Sequence, residues 1–411
     1  MMASPAPAPA SEPDIESEPD IESVRGASRD AVSWLRHAAW PAWLEHGVDW
    51  DRRGFHEALD LDTLACPADF RRLRVAARQV FVFAEAARAG LPHAAEAAEL
   101  GLDFLARMAL GEDGGYARRF GLDGRVLDHG RDLYDHAFVL LALASAAAIL
   151  PQAPLRRRAL ALLDYLDTRM AHPLGGYVEG LPPPTVVVAR RQNPHMHLLE
   201  AFLAAAEAFG DAVFLLRADA MVRLFLSRLF DARRGMLPEH YDEAWRPLRV
   251  DGRYRVEPGH HCEWAWLLDW HARVGAAATR DACLQASRQL IGTVDRHGVN
   301  PALGTAYDEV WSDGTPKADG SRLWPQAERL KAEILRADAT PASMLRAYAA
   351  LGRYLRPDGL WFERLLADGA PVAQPAPASS LYHLTAGILV ADRHLDHHPT
   401  ERDHPSDKDA R

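Results

Sequence analysis

Helix-start signals recur along this chain at intervals of roughly 60 residues, and no other feature narrows the possible folds as far. One helix begins near Asp135, opening a segment that is apolar nearly all round (134–150), the mark of a buried helix. Asn193-Pro194 reads as an Asn cap with Pro in the first turn. Pro258-Gly259 precedes a third helix, Pro325 opens a fourth, and Ser379 or Ser380 caps a fifth. Starts at 135, 194, 261, 325 and 380 lie 59, 67, 64 and 55 residues apart. Loop signals keep step: Gly114-Gly115-Tyr116, Gly175-Gly176-Tyr177, Gly235-Met236 and Gly304 to Tyr307. Segments 211–230 and 281–296 alternate apolar and charged positions at helical spacing, as outer helices do. Strand signals are short and confined to loops, as around Arg255 to Pro258.

Two helices and two loops fill a unit of this length. Setting 24 residues aside, 411 − 24 = 387 residues make six units of about 64. The expectation is an all-α chain forming a single (α/α)6 barrel of six helical hairpins, with an open α-solenoid as the other architecture. In the barrel the inner helices run the same way, so their N-termini gather at one end. That end offers free N–H groups and positive dipole.

The expected barrel domain spans 27–395, with unstructured tails at 1–26 and 396–411. The first tail is Pro/Ala-rich and then repeats SEPDIE at 11–16 and 17–22, too polar to bury a core. It lacks the basic-then-apolar order of a secretory leader. Its six carboxylates account for most of the net charge of −10, leaving −10 + 6 = −4 over residues 25–411. The net charge of −10 argues against a phosphate-tracking nucleic-acid binder, while the nearly neutral remainder says little about partners. No apolar run reaches the roughly 18 residues of a membrane span. Three cysteines without a CxxC pair point to a reducing, cytoplasmic setting and no zinc ribbon. Only Lys317, Lys331 and Lys408 are lysines among 47 basic residues, read as coding bias. His394, His397, His398 and His404 read as a solvated tail, not a metal site.

Four clusters of polar residues sit at the recurring helix starts. They are Asn193, His195, His197 and Glu200; His260, His261, Glu263, Trp264 and Trp266; Arg322, Trp324, Gln326 and Glu328; and Ser380, Tyr382 and His383. Arg74, Arg78, Tyr134, Asp135 and His136 join them. No GxSxG elbow and no strand-borne GxGxxG is present, and Cys262 reads as a packing residue. His195 and His197, two apart on a helix, point about 200° apart and do not readily share an ion; His260 and His261 have the same difficulty. Neither a metal nor another cofactor is expected. Neutral histidines suit proton shuttling α to a sugar aldehyde, with Arg and helix-start N–H groups stabilising the enediolate.

These motifs resemble the N-acylglucosamine 2-epimerase superfamily. The matches are Asn193, Met196, His197, Glu200 and Ala201; Pro258, Gly259, His260, Glu263 and Trp264; Trp324, Pro325 and Glu328; and Leu381, Tyr382 and His383, over roughly residues 28–395. The resemblance implies a single (α/α)6 barrel and a metal-independent sugar isomerase or 2-epimerase. It implies that His383 takes the C2 proton, that His260 assists ring opening and returns the proton, and that His197 positions or polarises the sugar. Arg78 then faces the enediolate, while Tyr134, Asn193, Glu200, Glu263, Trp324 and Glu328 bind hydroxyls or orient the histidines. The wording of the motifs looks closest to bacterial D-mannose isomerases, implying D-mannose to D-fructose interconversion, with a 2-epimerase as the alternative. Arg253 and Arg255 leave a phosphosugar open. A monosaccharide is the expected partner, and the resemblance implies a possible homodimer. An (α/α)6 glycoside hydrolase using Glu200, Glu263 or Glu328 and a non-catalytic binding protein are the remote alternatives.

Overall fold

The computed structural model describes residues 19–182, 189–318 and 320–397. In chain order its helices are α1 (Ile21–Trp34), α2 (Trp40–His46), α3 (Leu73–Arg88), α4 (Ala94–Phe104), α5 (Leu133–Ala146), α6 (Gln152–Tyr165), α7 (Asn193–Phe209), α8 (Ala212–Leu224), α9 (Pro258–Val274), α10 (Arg280–Thr293), α11 (Trp324–Leu335), α12 (Pro341–Gly352) and α13 (Ala378–His397). The odd-numbered helices from α3 pack side by side, and α13 returns to α3, so the inner ring is closed rather than solenoidal. Helices α4, α6, α8, α10 and α12 fold back outside it. Helix α1 packs on α13 and α12, so the sixth hairpin is assembled from the two ends of the chain. Ser28 Oγ donates to Asp392 at 2.8 Å, and Trp40 Nε1 donates to Thr385 Oγ1 at 3.1 Å, across that closure. The fold is a single (α/α)6 barrel. Among the described residues no helix is long and apolar enough to cross a membrane.

The five expected inner-helix starts fall within three residues of the observed ones. The sixth inner helix, α3, gave no start signal: Arg72 precedes it without a capping side chain and no Pro lies in its first turn. The N-terminal boundary needs correction. Helix α1 starts at Ile21, inside the expected tail, because Asp20 accepts from the Ser23 N–H at 2.9 Å and Val24 is fully buried. At the other end α13 runs to His397, past the expected boundary at 395. Residues 1–18 and 398–411 of the expected tails, with His398 and His404, lie outside the described residues.

Connections at the C-terminal ends of the inner helices are short, such as 210–211 and 275–279, whereas those at their N-terminal ends are long, such as 231–257 and 299–323. The long loops carry two- and three-residue ladders, including Arg255–Val256 against Val310–Trp311.

A repeated contact fastens these loops to the ring. His136 Nδ1 lies 2.7 Å from the Asp132 carbonyl, and its Nε2 accepts the Tyr116 N–H at 3.0 Å. His195 does the same between the Arg191 carbonyl and the Tyr177 N–H, and His261 between the Glu257 carbonyl and the Leu237 N–H. In α11 the role passes to Gln326, whose Nε2 donates to the Arg322 carbonyl and whose Oε1 accepts from the Ala306 N–H. Such a histidine must be neutral, since Nε2 is an acceptor. Burial ensures this, pushing His136 to about 4, His195 to about 3 and His261 to about 4. Gly176 makes room for one of these contacts: its φ is +70°, and a Cβ there would meet His195 Nε2 at 2.6 Å. His195 and His261 are therefore structural pins, not site residues.

Candidate active site

The gathered N-termini enclose a cavity of about 310 Å³, large enough for a monosaccharide. Arg78 from α3, Tyr134 from α5, Asn193 and His197 from α7, and His260 and Glu263 from α9 line it. Trp324 from α11 and His383 from α13 complete the set expected from sequence. Asn193 is not the cap it was expected to be: its side chain lies 2.9 Å from His260 Nε2. Ser380 likewise spends its hydroxyl on Glu363, at 2.8 Å.

Each of the three pocket histidines rests its Nδ1 on a buried carboxylate. His383 Nδ1 is 2.7 Å from Glu328, His260 Nδ1 is 2.8 Å from Glu239, and His197 Nδ1 is 3.2 Å from Glu200. Such a contact selects the tautomer with Nδ1 protonated and leaves Nε2 for other work. Glu200 and Glu328 were expected to bind hydroxyls or to orient the histidines. They stand outside the cavity lining and support His197 and His383 from behind, Glu200 also accepting from the Tyr382 hydroxyl.

The environments drive these histidines apart. Burial lowers His383 to about 4, despite Glu328, with Arg78 and His197 adding to the push. His197 falls to about 4 for the same first reason. Burial also opposes the His260 cation, but Glu239 and Glu257 outweigh it and raise His260 to about 9. One histidine is thus neutral and another charged at neutral pH, the states that a base and an acid need. Glu263 is buried beside Glu328 and Glu200, which pushes its carboxyl well above the usual range. Both its oxygens lack a hydrogen-bond partner among the described residues, so it meets the cavity as an unspent carboxylic acid.

Trp324 lies between the acid and the base, its ring centroid 4.9 Å from His260 and 5.5 Å from His383. A Cβ on Gly259 would meet the Trp324 ring at 2.5 Å, so the glycine before His260 exists to admit that ring. Gly259→Ala is expected to displace Trp324 and lower kcat/KM by up to about 100-fold; native steady-state kinetics in that variant would show that the ring moves freely. On the opposite wall, Arg78 donates to Tyr134 Oη at 2.5 Å and to the Ser379 carbonyl at 3.3 Å. Its guanidinium packs over Phe138 at 4.1 Å and Tyr382 at 5.1 Å.

Sequence reasoning missed Glu239, Glu257 and Glu363. Glu239 has a structural origin. In three hairpins a loop carboxylate grips the arginine entering the inner helix by both its N–H and its Nε: Glu57 on Arg72, Glu179 on Arg191, Asp308 on Arg322. Before α9 that arginine is replaced by Glu257. Glu239 keeps the Glu257 N–H at 3.2 Å, and its other oxygen turns to His260 and to the Gln192 amide. The signal was present: a carboxylate follows several loop glycines by three or four residues, as in Gly176/Glu179, Gly235/Glu239, Gly304/Asp308 and Gly359/Glu363.

Among the described residues, three groups bring possible metal-ligating atoms within 4.8 Å of one another: His197/Glu200/Glu263, Glu239/Glu257/His260 and Glu263/Glu328/His383. In each, the histidine and a carboxylate already satisfy one another at hydrogen-bonding distance.

The model of the N-acylglucosamine 2-epimerase (GlcNAc 2-epimerase) family matches residues 54–387. The chain belongs to this family. It is 38% identical over 376 residues to a mannose-6-phosphate isomerase of Rhizobium meliloti, covering 87% of this chain and 95% of that one. It is 28% identical over 349 residues to a D-mannose isomerase of Thermobifida fusca, covering 73% and 79%. Among solved structures, a cellobiose 2-epimerase from Spirochaeta thermophila superposes with a TM-score of 0.78 at 22% identity, covering 93% of this chain and 99% of that one. That likeness shows the fold. Family and relatives together make this GlcNAc 2-epimerase family member a sugar isomerase or 2-epimerase.

Proposed function

We propose that this family member interconverts D-mannose and D-fructose through a cis-enediolate. The observation that carries the reading is the pairing of a neutral histidine with a charged one across Trp324, in a cavity of monosaccharide size. His260, as imidazolium, protonates the ring oxygen and recovers the proton of the anomeric hydroxyl, so the C1–O5 bond breaks, the aldehyde forms and the imidazole keeps its charge. His383 Nε2 then takes the C2 proton, and Arg78 bears the charge that develops on the carbonyl oxygen. Returning that proton to C1, with the O2 proton passing to O1, yields the ketose; the epimer forms instead when His260, as imidazolium on the opposite face, protonates C2 while His383 keeps the proton it took. His197 and Glu263 hold hydroxyls. The three free cysteines support a cytoplasmic setting.

The name of the Rhizobium meliloti relative favours a second reading, in which the sugar is phosphorylated. The cavity argues for the neutral sugar. Glu257, Glu263 and Glu363 line it, and its Arg322 is held by Asp308 and Glu257. Arg253 and Arg255, which left a phosphosugar open in the sequence, pair with Asp313 and Glu309.

The test is incubation with mannose, mannose 6-phosphate, glucose, GlcNAc and cellobiose in D2O with EDTA. Fructose from mannose with exchange at the shifted proton is expected. Turnover of mannose 6-phosphate alone transfers the proposal to the phosphosugar, an aldose product makes the enzyme a 2-epimerase, and loss of activity in EDTA overturns the metal-free mechanism. In the pH profile, activity should fall below about 4, where His383 takes up a proton, and above about 9, where His260 loses one. A profile without these limbs would remove the assigned roles.

A further inference from the structure

A buried charge beside the base remains outside this account. Lys331 lies on α11 one turn beyond Glu328, is fully buried, and places its Nζ 2.6 Å from Glu328 Oε2. The same ammonium sits 4.1 Å from the centre of the Trp266 ring. A lysine almost never occupies such a place without a charge to balance. Here that charge is the carboxylate whose other oxygen contacts His383 Nδ1.

We infer that Lys331 is a positioning residue for the base. Its buried ammonium keeps Glu328 an anion, and that anion holds His383 with Nδ1 protonated and Nε2 open toward the sugar. The inference rests on the reading of His383 as the base. Without the cation, a protonated Glu328 would donate to Nδ1 instead of accepting from it. The imidazole proton would then move to Nε2, the face that must be empty. The groups facing the pair from neighbouring helices offer no substitute. Helix α9 presents Glu263, and α7 presents Glu200, both carboxyls; α13 presents Tyr382 beside His383; Arg78 of α3 is engaged with Tyr134 and the Ser379 carbonyl. His197, the remaining neighbour of His383, is held neutral by burial.

The sign of the effect is fixed by charge. Removing a cation makes proton uptake by the Glu328–His383 pair easier, so the acid limb of kcat/KM moves up. In Lys331→Met the expected rise is about one to three pH units, with KM little changed. Lys331→Arg keeps the charge and should leave the limb where it is.

A double-variant cycle separates this role from packing. On a Glu328→Gln background, Lys331→Met should cost nothing further in kcat, because its route to the base is already cut. Costs that multiply would overturn the inference, as would an unmoved acid limb in Lys331→Met. Nitrogen-15 spectra of the wild-type enzyme at pH 7 supply a readout independent of how the variants fold: His383 is expected as the Nδ1–H tautomer, and an Nε2–H tautomer overturns the proposal. Failure of the underlying reading looks different, since His383→Ala would then retain turnover whatever Lys331 does.

Discussion

His383→Ala is expected to lower kcat by about 10²- to 10⁴-fold while leaving the unfolding transition nearly in place. The imidazole contributes the only open nitrogen we assign to C2 proton abstraction, so nothing in the cavity replaces it. His260, the other titrating histidine, is loaded with a proton and cannot accept another; His197 leans on Glu200 and packs against Phe138, with ring centroids 4.5 Å apart. The fold should tolerate the loss because Glu328 retains Lys331 at 2.6 Å and is not left as a lone buried charge. Two measurements check this. Steady-state rates should collapse, and wash-in of deuterium at C2 should stop with them. If exchange continued at the wild-type rate while net conversion fell, another group would be taking the proton.

His261→Ala should do the opposite, sparing the chemistry at first and undermining the barrel. Its imidazole joins the Leu237 N–H at 3.1 Å to the Glu257 carbonyl at 3.2 Å, fully buried. Truncation strands a buried donor and leaves a cavity. At about 1–3 kcal/mol for the stranded group, plus the void, the expected cost is about 3–5 kcal/mol, read as a drop in denaturation midpoint. His261→Gln should recover most of it, because Gln326 makes the same pair of contacts with its amide in α11. A glutamine variant as unstable as the alanine one would show that the pin depends on the ring rather than on its two hydrogen bonds. Adjacent histidines thus divide between catalysis and architecture, and the division is measurable.

That pair also shows where reading the sequence ran out. His260 and His261 are both plausible at a helix start, and only the turn of about 100° between them decides which faces the cavity and which faces the loop. The recurrence at 55 to 67 residues exposed the hairpin repeat, since it reports unit length directly. It missed α3, whose start carries none of the usual caps. His260, His383 and Arg78 were legible as residue types in a pattern. Glu239 was marked only by its spacing from Gly235, which does not tell that it reaches a histidine 21 residues further on. Asn193 and Ser380 were misread for a related reason. A polar residue at a helix start ordinarily caps it, but here the neighbours His260 and Glu363 compete for the same atoms and win.

The joining of the first outer helix to the last inner one has a consequence for how the protein is made. Ser28 and Asp392 meet across 364 residues. At ordinary synthesis speeds of 5–20 residues per second, α1 waits roughly 20 to 70 s for the surface it will cover. Throughout that time the wall is open, and His383, near the end of the chain, has not yet arrived. A ribosome that stalls before the last helix, or a protease that trims it, therefore leaves a product with neither a closed wall nor His383. On the role proposed for that histidine, turnover reports that the last helix has been made and has docked on α1 and α3.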